Sequence, residues 1–429
     1  MKMQNMAQRG IWSLTRFLQT DVRYLARSTA WLSMGSVIGT TVAFILSLAY
    51  ARYISKDVYG SYRFILSVIG MAGIFSLPGM STAIIRAAAR GYEGTFRKGS
   101  RFIFLSSIGI SVVGFITALY YFTQGNTAIA YSLCAASLFV PFVEGLGNWR
   151  GYLDGKQAFK KKTLYNAAAH ILYGVGMLAT IAYIYLYNPP FTISIPLLTF
   201  AYFFSHALPN LILHKIIIRR IPKNAPQEES AITYGMHLSL STAPSTLATY
   251  IDSVLLYAYL GPAALAVYSF AIAIPEQIKS LMGNAATVTF PKLAIHTNAS
   301  ISNGSLQQTL PSKLFRASLF TGIVVLGYVI LAPILYNFFF PRYIESIPYS
   351  QVFALSLILF PFGVFGDALK AEGNVKKIYL HSVGSPLLQI IALAILIPSF
   401  GLWGAIAGRV IGRFLNHLFS YVLFKLPSK

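Results

Sequence analysis

Charge-free runs at 28–51, 64–85, 102–143, 163–214, 230–251, 317–341, 346–366 and 378–408 leave this chain few folds to choose from. A helix crossing about 30 Å of hydrocarbon needs about 20 apolar residues, so the longest runs must each hold two crossings. Breaks at Gln124-Gly125-Asn126, at Asn188-Pro189-Pro190 and from Pro398 to Gly401 divide them where turns are expected. The pattern predicts an all-α integral membrane protein of 12 transmembrane helices, near 29–51, 63–85, 102–122, 128–148, 164–187, 195–217, 232–260, 264–290, 314–337, 348–369, 378–398 and 400–424. Only 11% of residues are charged, against roughly a quarter in soluble chains, which excludes a soluble globular domain.

The formal charge of +22 could suggest nucleic acid as a partner, but its distribution argues against one. If the N-terminus lies inside, the inner loops and tails hold 27 of the 34 Lys and Arg; Arg52, Lys56, Arg63 and Arg342 lie outside, and Lys279, Arg409 and Arg413 within spans. This asymmetry is the positive-inside rule. It predicts a multi-pass protein of the plasma (inner) membrane with both ends in the cytoplasm and membrane lipids as neighbours. Residues 1–28 interleave Trp12, Phe17 and Val22 with Arg9, Arg16 and Arg23, the pattern of an amphipathic segment on the inner headgroups. The single cysteine, Cys134, excludes a disulfide framework or a Cys-based metal site. The sequons at Asn298 and Asn303 would face the cytoplasm and are read as loop residues.

The chain repeats itself. Shifting by 206 residues places Tyr53 on Tyr259, Ile54 on Leu260, Tyr62 on Tyr268 and Phe64 on Phe270, joining the stretch from Ala51 to Phe64 to the one from Asp252 to Phe270. The loop from Trp149 to Lys162 has a counterpart from Ala368 to Lys377 at a similar shift. Two halves of a hydrophobic chain suggest a transporter with two lobes and a path between them. The expected organisation is a first lobe at 29–220, a cytoplasmic linker at 221–231, a second lobe at 232–424 and a tail at 425–429. A polar loop is expected at 296–311.

The segments ARYISKDVYGSY (51–62), IDSVLLYAYLGPAALAVYSF (251–270) and TVTFPKLA (287–294) resemble the polysaccharide flippases, the O-antigen and teichuronic-type exporters of the multidrug/oligosaccharidyl-lipid/polysaccharide exporter superfamily. The resemblance covers nearly the whole chain. It departs where Ser253 follows Asp252 in place of the Arg of many members, which puts an Asp-Arg pair within that helix in doubt. The turn before Tyr59 also reads Ser-Lys-Asp in place of Gly-Pro, and the extra helix pair of the peptidoglycan-precursor branch is missing. What the resemblance implies is a V of two six-helix lobes working by alternating access. The cargo would be a polyprenyl-pyrophosphate-linked oligosaccharide, moved from the cytoplasmic to the outer leaflet for surface polysaccharide such as lipopolysaccharide O-antigen. A polysaccharide polymerase and other assembly proteins would be partners. Such a headgroup cannot cross hydrocarbon unaided, because its charges and hydroxyls would lose their water. Cationic groups in a polar cavity offset that loss, and the fork of Arg suits phosphate.

Ionisable residues inside spans are candidates by default. Arg409, Arg413 and His417 recur at i, i+4, i+8, which puts them on one helix face, and a shift of 207 superposes Tyr202, His206 and Asn210 on them. They are expected to bind substrate, unless the two arginines lie buried against carboxylates or reach the inner interface. Arg52 and Arg86 are further substrate-binding candidates if spans 1, 2, 7 and 8 line the gate, as the resemblance implies; ordinary interfacial anchoring is the alternative. Asp252, Glu276 and Lys279 are candidates for gating or coupling. Glu276 and Lys279, at i, i+3, can instead neutralise one another, and Asp252 can partner a basic residue of the opposing lobe or hold the closed state. His170, His237 and His381 are read as satisfied histidines. No catalytic residue, metal ligand or cofactor is expected, and no Walker A sequence occurs. The rival to a flippase is a drug or cation antiporter of the same superfamily, which should carry a strong acidic site in the first lobe, where only Glu144 stands within a span.

Overall fold

The computed structural model describes residues 22–301, 305–372 and 374–426. The N-terminal segment to residue 21, the Asn303 sequon and the tail from 427 lie outside the described residues. The first half comprises α1 (Val22–Tyr53), α2 (Lys56–Met71), a 3-10 turn at Ala72–Ser76, α3 (Pro78–Ala89), α4 (Gly94–Thr123), α5 (Thr127–Val140), a π turn at Pro141–Gly145, α6 (Trp149–Gly155), α7 (Phe159–Tyr187) and α8 (Phe191–Ile218). The second half comprises α9 (Ala231–Ile301), α10 (Ser305–Phe339), α11 (Ile347–Leu355), α12 (Val364–Glu372) and α13 (Val375–Lys425), with 3-10 segments at Pro341–Ser346 and Ser356–Gly363.

Two of these helices fold back on themselves. In a straight α9, Asp252 and Tyr268 would stand about 24 Å apart, sixteen residues at 1.5 Å each. The Tyr268 hydroxyl instead donates to Asp252 Oδ2. The reversal is at Gly261, with φ at +80°, a conformation that costs glycine nothing and a side chain much. Gly401, with φ at +59°, does the same in α13, where Ser385 Oγ reaches Asn416 Oδ1 at 2.7 Å. Among the described residues, ten stretches are long and apolar enough to cross a membrane, and two of them, Ala231–Gly283 and Lys376–Lys425, are these hairpins. The expected twelve crossings result.

The remaining boundaries follow local chemistry. The second span starts earlier than expected, because Ser55 Oγ accepts from Val58 N and caps α2. It breaks at Leu77, which lies in the left-handed region before Pro78. The expected span at 348–369 is broken into α11, a 3-10 segment containing Pro361, and α12. The expected loop at 296–311 is helical up to Ile301 and again from Ser305.

The halves meet along α2, α3 and the first arm of α9. A Cβ on Gly60 would lie 1.8 Å from the Pro262 carbonyl oxygen, so only glycine permits that approach. Phe64 stacks on Tyr257 with centroids 4.0 Å apart, and Gly79 N donates to Ser239 Oγ at 3.0 Å. At the end bearing Gly261 and Gly401, Arg52 donates to the Phe338 carbonyl at 3.3 Å and Lys56 pairs with Glu345. At the opposite end the linker is stapled down. Glu228 lies 3.4 Å from Arg86 and 3.2 Å from Arg90, and its backbone N–H donates to Thr95 Oγ1 at 2.9 Å. Outward faces such as Phe315, Leu319, Ile323, Ile330 and Ile334 of α10 are exposed, as a multi-pass membrane protein requires of the side that meets lipid.

Candidate transport cavity

The second arm of α13 carries Arg409 and Arg413 one turn apart, and both face a cavity of about 400 Å³ enclosed by α9, the Ser356–Gly363 segment and α13. Arg409 Nε lies 2.7 Å from Asp252 Oδ2, Nη1 lies 3.4 Å from Glu276 Oε1, and Nη2 donates to the Thr249 carbonyl at 3.0 Å. Asp252 is fully buried. Its other oxygen accepts from Ser253 N at 2.6 Å, and Oδ2 takes the Tyr268 hydroxyl as well. A buried carboxylate is tolerated only with such a complete set of donors.

Arg413 is held differently. Its Nη2 lies 2.5 Å from Glu276 Oε1 and its Nη1 donates to Ser356 Oγ at 2.6 Å, while the guanidinium lies 4.3 Å over the Phe353 ring, an attractive placement for a cation. Lys279 Nζ is 3.7 Å from Glu276 Oε2 and its side chain is 45% exposed. One carboxylate, Glu276, is therefore shared by three cations. Asp252 and Glu276 face Arg409, Arg413 and Lys279, so the wall carries one positive charge in excess. Asn416, His417, Gln389 and Ser385 supply further polar groups around it.

The sequence-derived candidates divide into two groups. Arg409, Arg413, His417, Glu276 and Lys279 line one cavity, and Asp252 supports it from beneath. The two arginines pair with carboxylates and still face open space. Asp252 does not partner the opposing half: Arg409 belongs to the same half, because the Gly261 and Gly401 reversals bring their helices together. The loss of an Arg beside Asp252 is made good by an Arg 157 residues away. Arg52, Arg86 and His206 do not line this cavity. Arg52 bonds the Phe338 carbonyl, and Arg86 lies between Glu228 and the Tyr234 ring. His206 sits against Tyr173 and Tyr202 with centroids 4.4 and 4.5 Å away.

The repeat explains that division. Tyr62 and Tyr202 correspond to Tyr268 and Arg409, and in the first half they pack ring to ring at 6.1 Å. At these positions the second half has an ion network and the first has aromatic rings, with the Arg63 guanidinium among them. Tyr268, Ser356 and Phe353 were not legible as site residues; Tyr268 lay inside the repeated stretch, which gave it a place in the fold and no role. His381 is satisfied by Ser420 at 2.7 Å, as expected of it. Among the described residues no group of three His, Cys, Asp or Glu is placed to hold a metal ion.

A family of polysaccharide biosynthesis proteins matches residues 25–296. The chain belongs to that family. This polysaccharide biosynthesis protein is 21% identical to an uncharacterised membrane protein of Methanocaldococcus jannaschii, over 92% of its own length and 82% of the relative's. In fold it is similar to the lipid II flippase MurJ in an inward closed conformation, with a TM-score of 0.66 at 12% identity over 92% of this chain and 87% of that one. It is also similar to a multidrug resistance MATE family transporter in its inward-facing conformation, with a TM-score of 0.65 at 16% identity over 93% and 97%. These likenesses establish the exporter-superfamily fold expected from the sequence.

Proposed function

We propose that this polysaccharide biosynthesis protein is a flippase that moves a polyprenyl-pyrophosphate-linked oligosaccharide from the cytoplasmic to the outer leaflet by alternating access. The observation that supports this reading is the surplus positive charge of the cavity formed by Arg409, Arg413, Lys279 and their two carboxylates. A phosphate group entering the cavity competes with Glu276 for Arg413 and Lys279, while Asp252 keeps Arg409 in place. Neutral polar groups at Gln389, Asn416 and Ser385 suit sugar hydroxyls. The end carrying the Ile221 to Ser230 linker is assigned to the cytoplasm of a plasma membrane protein because most Lys and Arg fall there. A polymerase or other assembly proteins would take the product.

The closed end fits an early step of the cycle. Arg52 on Phe338, Lys56 on Glu345 and the Gly60–Pro262 approach hold the halves together at the outer end, which fits loading of cargo from the linker side. The test is the lipid-linked glycan pool of cells lacking the protein, with sidedness read by an impermeant label. Accumulation in the cytoplasmic leaflet is expected, and the mass of the trapped species names the cargo. An unchanged pool with altered sensitivity to cationic drugs would replace this reading with an antiporter.

A further inference from the structure

A second cavity, of about 370 Å³, lies in the first half between α1 and α7. It falls within the roughly 300–1,000 Å³ of small-molecule sites. Gly35 and Gly39 form its floor; a Cβ on Gly39 would already stand 3.3 Å from His170 Nε2. Around this floor stand Ser36, Thr40, Asn166 and His170. Asn166 Oδ1 accepts from Arg150 Nε at 2.8 Å, which commits its carbonyl and leaves its amide donors for the cavity. Lys162, the one cation of the lining, is neutralised by both Asp154 oxygens at 2.6 and 2.7 Å. The lining therefore offers hydroxyls, an amide and an imidazole, and its one cation is paired. This chemistry is unlike that of the Arg409–Arg413 wall and suits sugar hydroxyls better than phosphate.

Its position says how a ligand arrives. Ser36 and Thr40 are exposed on α1, whose Leu32, Val37 and Phe44 are exposed apolar residues that face lipid in a membrane span. Trp31, beside the cavity, has Lys160 Nζ 5.6 Å from its ring centre, the aromatic and lysine pairing of a membrane–water interface. A ligand entering here travels along the lipid surface at headgroup depth. We propose that the α1–α7 cavity binds the uncharged sugar of a lipid-borne glycoside, separately from the cationic cavity. Its role in delivering cargo rests on the flippase reading; its binding chemistry does not.

The experiment uses the full chain in nanodiscs and an alkyl glucoside bearing a diazirine on its sugar, with the label located by peptide mass spectrometry. Label in 31–40 and 162–170 is expected, displaced by octyl glucoside but not by octyl phosphocholine or free glucose. Ser36→Leu with Thr40→Leu fills the cavity from exposed positions and should cut labelling by about tenfold, the worth of one or two neutral hydrogen bonds. Ser36→Thr, which keeps the hydroxyl, should retain it. Label elsewhere, equal displacement by phosphocholine or free glucose, or undiminished labelling in a filled variant of wild-type thermal midpoint overturns the proposal. An unchanged lipid-linked glycan pool in cells lacking the protein, with labelling intact, would instead count against the function proposed above.

Discussion

Arg409 Nε lies 2.7 Å from Asp252 Oδ2, although 157 residues separate them. The contact joins the first arm of one helical hairpin to the second arm of another, so it ties α9 to α13 inside the membrane. Asp252 is fully buried, and Arg409 reaches it from the edge of the cavity. The cavity thus has a structural carboxylate beneath it and a second carboxylate, Glu276, on its surface.

Removing Asp252 should unsettle the fold before it alters the chemistry. Breaking one partner of a buried ion pair typically costs about 3–5 kcal/mol. Glu276 and the Thr249 carbonyl remain to Arg409, so the lower part of that range is expected for Asp252→Ala. The double variant Asp252→Asn with Arg409→Gln should lose less than the sum of the single changes. Thermal unfolding in detergent checks this; additive losses would show that the two side chains do not act as a pair.

Arg413 is the better probe of transport. It holds no fully buried carboxylate, and Glu276 keeps Arg409 and Lys279 without it. Arg413→Ala should abolish flipping with a near-normal thermal midpoint. Arg413→Lys should recover part of the activity, since charge returns but the two-pronged contact to Glu276 and Ser356 does not. The measurement is the cytoplasmic-leaflet pool of lipid-linked glycan beside the unfolding midpoint. Full activity in Arg413→Ala would remove it from the transport path.

The crossings were legible because a span advertises itself by length and lack of charge. The i, i+4, i+8 spacing was enough to place Arg409, Arg413 and His417 on one face. Their partners were not legible, because Asp252, Glu276 and Ser356 reach them only through two glycine reversals and a 3-10 segment. Arg52 and Arg86 lie away from that cavity for a physical reason. An arginine near a span end has carbonyls and carboxylates within reach, and both found such partners at Phe338 and Glu228.

The Lys56–Glu345 pair should act on conformation and hardly on stability. The side chains are 33% and 54% exposed, and pairs so exposed contribute about 0–1 kcal/mol. Reversing one charge, as in Glu345→Lys, places like charges across the closed end. In a Cys134→Ala background, Tyr59→Cys should then react faster with an impermeant maleimide, and adding Lys56→Glu should restore the slow rate. An unchanged rate would mean that the Gly60–Pro262 approach seals that end without the ion pair.

The loop face near the linker should carry a small acid-sensitive term. The Lys156 ammonium, 2.6 Å away, holds the Glu93 carboxyl below its ordinary value near 4.5, aided by the Tyr152 hydroxyl. A carboxyl with a depressed folded-state pKa stabilises the fold above its unfolded value, and that contribution is lost as pH falls through the folded value. The loss therefore begins below about pH 4.5 and is absent at neutrality. Both side chains are partly exposed, so solvent screening keeps the effect under about 1 kcal/mol. Unfolding midpoints between neutrality and strong acid should fall less for Glu93→Gln than for the native chain, with the gap closing at the acid limit. Parallel curves would assign the acid response to other carboxylates.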